Sequence, residues 1–422
     1  MLIRDEFIDN AISQSTSFAT MDLIRTFPSE ILAKIFGTPP LNAADVSAVS
    51  HVSRWWRVAA VGASELWVDV HIEDNDVNHT EVVMEYLRRS QARAISLKIR
   101  LSSRPSPVTL PQLCTFLEAT VKPNLRRCRS LKVQATRQSW IAISAVFREE
   151  TYPLLRLLDV MAVHFFAKSS QRPGASTEEL TFALPPYHPL QELSLHTMSV
   201  GNVPLPALHA LRLSGRLHNI VGADGRFNRW LLEGPRKLEL CRLAVPAMQF
   251  HGQDEESTNM SSVLHLKLAW IYASMDGHGA QNDCVPFFDA LQMPLLRTLE
   301  LESFHGRAWE DFLFALNTPK LKYPRLTTLH LKAFDFQGLS YPGVSFFLSC
   351  FPELGSVILT GCPLSTWEAV LDVLMLHPDL CPCLDAVEIN GVLLYREEPL
   401  PFACACLQGK PARTPPMSED ED

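Results

Sequence analysis

Apolar positions along this 422-residue chain change their period near residue 68. Before it they fall at helical spacing. In Phe27-Pro28-Ser29-Glu30-Ile31-Leu32-Ala33-Lys34-Ile35-Phe36, residues Ile31, Leu32, Ile35 and Phe36 share one stripe. Pro28 stands where a first-turn proline costs no hydrogen bond, and Glu30 complements the positive end of the helix. A second helical run, Ala43 to Val52, carries Val46 and Val49 inward. It leads into a third helix in Val52-Ser53-Arg54-Trp55-Trp56-Arg57-Val58, with Glu65-Leu66-Trp67 behind it. About forty residues thus make a small helical unit with more apolar surface than it can hide, which predicts a protein partner.

Beyond residue 68 a different pattern recurs, apolar-x-x-Leu-x-Leu in loose form. It reads Ala94 to Ile99, Cys128 to Val133, Leu155 to Val160, Leu190 to Leu195, Leu208 to Leu213 and Pro235 to Leu240, then Val263 to Leu268, Leu296 to Leu301, Leu326 to Leu331, Leu354 to Leu359 and Leu384 to Ile389. The anchors Leu97, Leu131, Leu158, Leu193, Leu211, Leu238, Leu266, Leu299, Leu329, Val357 and Val387 recur with a degenerate period of roughly thirty, the signature of a leucine-rich-repeat solenoid. Helix-capable segments lie between strands, at Ser139 to Phe147, Trp309 to Leu316, Val344 to Phe351 and Thr366 to Leu376. The fold class expected is therefore α/β: a helical unit, then a parallel sheet on a concave face with helices and loops on the convex face. The domains expected are an arm over 1–19, the helical unit over 20–67, the solenoid over 68–400 and a tail over 401–422, disordered from about 410. Polar stretches at Ala167 to Ala175, His251 to Asn259 and Ala273 to Asp283 read as surface insertions.

Residues 27 to 67 resemble an F-box, which opens Leu-Pro-x-Glu-Ile-Leu-x-x-Ile-Phe and carries Val-x-Arg-x-Trp-Arg in its third helix. Pro28, Glu30, Ile31, Leu32, Ile35 and Phe36 match the first motif, and Val52, Arg54, Trp56 and Arg57 the second. Phe27 replaces the usual leucine, Trp55 takes a normally polar position, and the loop Gly37-Thr38-Pro39-Pro40 is rich in proline. The style looks most like that of fungal F-box proteins. The resemblance implies docking on a Skp-family adaptor, and through it a cullin and a RING-type subunit of a ubiquitin ligase. Pro28, Glu30, Ile31, Leu32, Ile35, Phe36 and Trp56 would bind the adaptor or shape its docking face. The chain would be a non-catalytic substrate-recognition subunit. A rival reading makes the same helices a cap that closes the first apolar face of a repeat scaffold.

Charge adds a candidate substrate surface. The net charge is −8, yet Arg88 to Arg137 holds twelve Lys or Arg against Glu118 alone. Arg126, Arg127 and Arg129 are its densest cluster, suited to an acidic or phosphorylated protein partner. Period-two alternation turns the positions flanking each strand leucine to one face. These include Lys98, Arg100, Lys132, Gln134, Arg212, Lys237, Glu239, His265, Lys267, Glu300, Glu302, His330, Lys332, Glu388 and Asn390. The window lacks interleaved aromatics and the chain is acidic, so nucleic acid is not expected.

Ten scattered cysteines, the acids in Met1-Leu2-Ile3-Arg4-Asp5-Glu6 and the absence of a long apolar run predict a cytoplasmic or nuclear protein off the membrane. Cys381-x-Cys383 and Cys404-x-Cys406 are spaced more tightly than a zinc knuckle, so no metal or cofactor is expected. No Gly-x-Ser-x-Gly, phosphate-binding Gly-rich loop, His-Glu-x-x-His or dinucleotide fingerprint occurs. Glu302, His305 and His196 read as decoration of strand ends.

Overall fold

A computed structural model describes residues 28–36, 41–101, 108–148, 152–163, 181–182, 189–196, 199–200, 205, 207–216, 234–245, 260–273, 284–304, 307–317, 322–336 and 341–395. The arm over 1–19, the tail over 401–422, the proline-rich loop at 37–40, most of the three expected insertions, and Cys404 and Cys406 lie outside them. The chain divides into two compact units, one ending at Leu155 and one starting at Arg156.

The first unit opens with three short helices, α1 (Ser29–Phe36), α2 (Ala43–Ser50) and α3 (Arg54–Gly62). Each start is written in its cap. The Pro28 carbonyl accepts from the N–H groups of Ile31 and Leu32, so the proline precedes the helix rather than standing in its first turn. Asn42 caps α2 through the N–H groups of Ala44 and Asp45, and Ser53 caps α3 through Trp56 N–H at 3.1 Å. Val46 is buried while Val49 is half-buried. A 3-10 turn (Ser64–Trp67) then delivers β1 (Asp69–Glu73), α4 (Thr80–Arg89), β2 (Ile95–Leu101), α5 (Leu110–Phe116), β3 (Cys128–Thr136) and α6 (Arg137–Arg148). The three strands are parallel, with Val70, Leu97 and Leu131 in one register row and Ile72, Ile99 and Val133 in another. Trp67 is fully buried, donates through Nε1 to the Ala60 carbonyl at 2.7 Å and lies under the Arg89 guanidinium, so one indole ties α3 to α4.

The second unit is a longer ladder. Its strands are β4 (Leu157–Val163), β5 (Glu192–His196), β6 (Ala210–Arg216), β7 (Lys237–Val245) and β8 (His265–Ala269), then α7 (Val285–Ala290), β9 (Thr298–Glu302), α8 (Arg307–Leu316), β10 (Thr328–Lys332), α9 (Tyr341–Ser349), β11 (Ser356–Thr360), α10 (Leu364–Leu376), β12 (Ala386–Ile389) and β13 (Val392–Tyr395). From β4 to β12 every neighbouring pair is parallel, and apart from one slip between Ser214 and Gly215 the register is kept, so the anchors Leu158, Leu193, Leu211, Leu238, Leu266, Leu299, Leu329, Val357 and Val387 stand in one row. Only the last pair, β12 with β13, is antiparallel, turned by Asn390 and Gly391 at positive φ. This long parallel sheet with helices in its crossovers is consistent with a solenoid.

Two backbone devices repeat where the hexad begins and ends. Its first apolar residue precedes the strand and is buried in a turn. In Met293-Pro294-Leu295-Leu296, Tyr323-Pro324-Arg325-Leu326, Phe351-Pro352-Glu353-Leu354 and Cys381-Pro382-Cys383-Leu384, the N–H of the fourth residue donates to the carbonyl of the first at 3.0–3.2 Å. Proline at the second position presets the φ such a turn needs. At the other end, Trp270, Ser303, Ala333, Gly361 and Asn390 each adopt positive φ just after a strand and turn the chain out of the sheet. Asn390 is thus a turn residue rather than a member of the strand face, and its Oδ1 accepts from Gly361 N–H at 2.8 Å.

Candidate functional site

Two surfaces gather the residues to which the sequence points. The first is the helical module. Leu32 and Phe36 are 2% and 5% exposed and form its core, whereas Ile31 and Ile35, one turn apart, are 39% and 52% exposed. The Phe36 ring meets Trp56 at 5.1 Å between centroids, so α1 is keyed to α3 from behind and its isoleucine edge faces outward. Trp56 is half-buried, and Glu30 and Pro28 are exposed at the helix start. Helix α3 adds Trp55 and Val58, exposed and three residues apart, while Ala59 and Ala60 of the same helix are buried. Sequence reasoning did not single these two out as docking residues, although their helical spacing carries the signal. The uncovered isoleucine edge of α1 is apolar surface to which a protein partner can fit, and α3 carries further uncovered apolar side chains.

The second surface is the outward face of the strands. Among the described residues of the second unit, most of its charges are paired with one another, Glu192 and Glu388 being outside these pairs. Glu239, buried, accepts from Arg212 at 2.5 Å and from Lys237 at 2.7 Å. Lys267 bridges Glu300, at 2.6 Å, and Glu302, and Lys332 reaches Glu302 at 3.3 Å. His330 meets Thr360 Oγ1 at 3.1 Å, and His196 lies between Asp159 and Ser214. Burial works against the Lys267 ammonium, but the two glutamates outweigh it and hold its pKa above the ordinary lysine value. Of the expected substrate residues, Arg212, Lys237, Lys267, Glu300, His330 and Lys332 therefore share one face as a self-neutralising ladder.

In the first unit, Arg100 and Lys132 lie exposed on the strand face. The cluster Arg126, Arg127 and Arg129 does not act as one surface. The Arg127 guanidinium turns inward to the carbonyls of Leu87 at 2.7 Å, Gln91 at 2.6 Å and Arg93 at 3.2 Å, and to Ser90 Oγ at 2.7 Å, closing the C-terminal end of α4. Its partial burial lowers its pKa from the ordinary arginine value. Arg129 is exposed at a bulge where β3 slips one residue against β2, and Arg126 is exposed in the preceding 3-10 turn. Cys381 is buried at its turn and Cys383 points outward, so the two thiols do not converge. No helix among the described residues is long and apolar enough to cross a membrane.

A family model described as F-box-like matches residues 24–73, the segment that holds α1 to α3, the 3-10 turn and β1. No curated protein matches the chain. F-box domains generally bind Skp-type adaptors of cullin-RING ubiquitin ligases, and the proteins that carry them are generally non-catalytic adaptors. At the level of the family, the match thus implies a substrate-adaptor role in ubiquitin ligation.

Proposed function

We propose that this chain is a substrate-recognition subunit of a Skp/cullin/F-box ubiquitin ligase. Its F-box-like helices hold the adaptor, and its strand ladder is a leucine-rich-repeat solenoid whose open face binds a protein substrate. The observation that carries this reading is the exposure of Ile31 and Ile35 in a helix whose other apolar edge, Leu32 and Phe36, is fully used by the module. A helix serving only as a cap would turn a polar face outward. Pro28, Glu30 and Trp56 shape that edge, and Trp55 and Val58 extend it. The subunit's contribution is proximity. A substrate held on the ladder presents a lysine to the ubiquitin thioester at high effective concentration, and no side chain of this protein makes or breaks a bond. Such a subunit works in the cytoplasm, the nucleus or both.

The packing of α2 against β1 favours a second reading, a repeat scaffold that the helices merely cap. Capture of a Skp-type adaptor by the wild-type chain and by an Ile31→Asp, Ile35→Asp variant separates the two. Loss of the adaptor from a variant with an unchanged circular dichroism spectrum supports the ligase subunit. Failure of the wild type to capture any adaptor, or collapse of the variant, supports the scaffold.

A further inference from the structure

The strand face of the first unit differs from that of the second at equivalent positions. Lys98 and Lys132 stand side by side in register on β2 and β3, and Arg100 follows two residues after Lys98. All three are exposed, and among the described residues none has a carboxylate within ion-pairing distance. Glu73, the register neighbour of Arg100, turns its carboxylate to the N–H of Asp76 in a capping box. Like charges opposed across a strand pair destabilise a sheet. A ladder that pairs most of the described charges in the second unit leaves this repulsion standing, and an external anion would relieve it.

The geometry points to an acidic peptide segment of a protein partner, bound extended across Lys98, Arg100 and Lys132. Alternate side chains of an extended chain are about 6.6 Å apart, the spacing of Lys98 and Arg100 along β2, while neighbouring strands lie about 4.8 Å apart. Carboxylates at alternate positions of the peptide therefore meet the first pair in turn, and Lys132 lies within reach of either. Nucleic acid fits less well. Three neighbouring cations are few for a backbone charged at every nucleotide, on a protein whose net charge is −8, whereas the carboxylates of a short segment can match them one for one. This inference rests on reading the ladder as the substrate-binding surface, and it assigns that surface's charge preference to the first unit.

The test uses the full chain and fluorescence anisotropy with a labelled peptide of alternating Glu and Gly, its Gln-Gly counterpart, and a single-stranded oligonucleotide. The Glu-Gly peptide binds, and the Lys98→Glu, Lys132→Glu variant weakens it by about tenfold or more. Arg88→Glu, which reverses an exposed arginine already paired with Glu85, leaves binding unchanged. Where charge reversal upsets the fold, Lys98→Gln, Lys132→Gln decides instead. Equal binding of the Gln-Gly peptide, tighter binding of the oligonucleotide, or an equal loss in Arg88→Glu overturns the proposal. Adaptor capture on the same samples keeps the two readings apart. Retained adaptor with no peptide binding rejects the acidic site alone, and peptide binding without adaptor rejects the ligase role alone.

Discussion

Phe36 on α1 and Trp56 on α3 face each other with ring centroids 5.1 Å apart and planes tilted by 55°. This contact joins the two halves of a motif that twenty residues separate in the chain, and it divides α1 into an edge used for folding and an edge left free.

That division predicts opposite behaviour for adjacent residues. Phe36→Ala removes one buried ring from its contact with Trp56 and lowers stability by about 3–5 kcal/mol. Ile35→Ala, at an exposed position, changes it by no more than about 0.5 kcal/mol. Urea unfolding of the two variants checks the contrast, and comparable losses would place Ile35 in the core.

Arg127 behaves as a structural residue despite its place in the most basic run of the sequence. Its replacement by Ala strips donors from three carbonyls and a hydroxyl and costs about 2–3 kcal/mol. Arg127→Lys recovers little, because one ammonium cannot reach partners spread around a planar fork. Thermal unfolding of both variants distinguishes this from a surface role, in which neither would matter.

The Glu239 site sets an acid limit on the ladder. Burial pushes its carboxyl up, but hydrogen bonds from Arg212 and Lys237 outweigh this and hold it below the ordinary value of 4.5. A carboxyl with a depressed folded pKa contributes its stability in full above the unfolded value, and that contribution is lost as pH falls through the folded one. Stability should therefore decline as the pH drops below 4.5, and the decline should be shallower in Glu239→Gln. Urea titrations across this range measure the difference, and parallel curves would remove Glu239 from the account.

Ala333 holds a φ of 45° where Gly361 occupies the equivalent turn. The left-handed region costs a side chain about 1 kcal/mol that glycine avoids. Ala333→Gly is exposed, so it loses no packing and raises stability by a few tenths to about 1 kcal/mol. A lower melting temperature would show that the strain is compensated locally.

The strand ladder was legible because each hexad repeats one physical requirement, two leucines turned to the same side, and the structure sets those leucines in register. The α1 stripe was legible for the same reason. Its division into core and surface was not, since Ile31 and Leu32 are both apolar and only the way α1 packs on α3 decides which is covered. The boundary of the hexad was misplaced by two residues, because the apolar-Pro-x-Leu turn uses a buried leucine that looks like a strand residue. Helices Thr80–Arg89 and Leu110–Phe116 were missed, though Thr109 and Gln112 form a capping box at the start of the second. The inward turn of Arg127 was not legible, because a run of basic residues records charge and not direction.

The alternation along the middle row of the second unit has a consequence for how such a protein can change. Arg212, Glu239, Lys267 and Glu300 follow one another across four adjacent strands. Excising the repeat that carries Glu239 would set Arg212 against Lys267, and excising the next would set Glu239 against Glu300. The units are therefore not interchangeable modules. Their order is written in electrostatics, and recombination can shorten this stretch without penalty only by removing an oppositely charged pair at once.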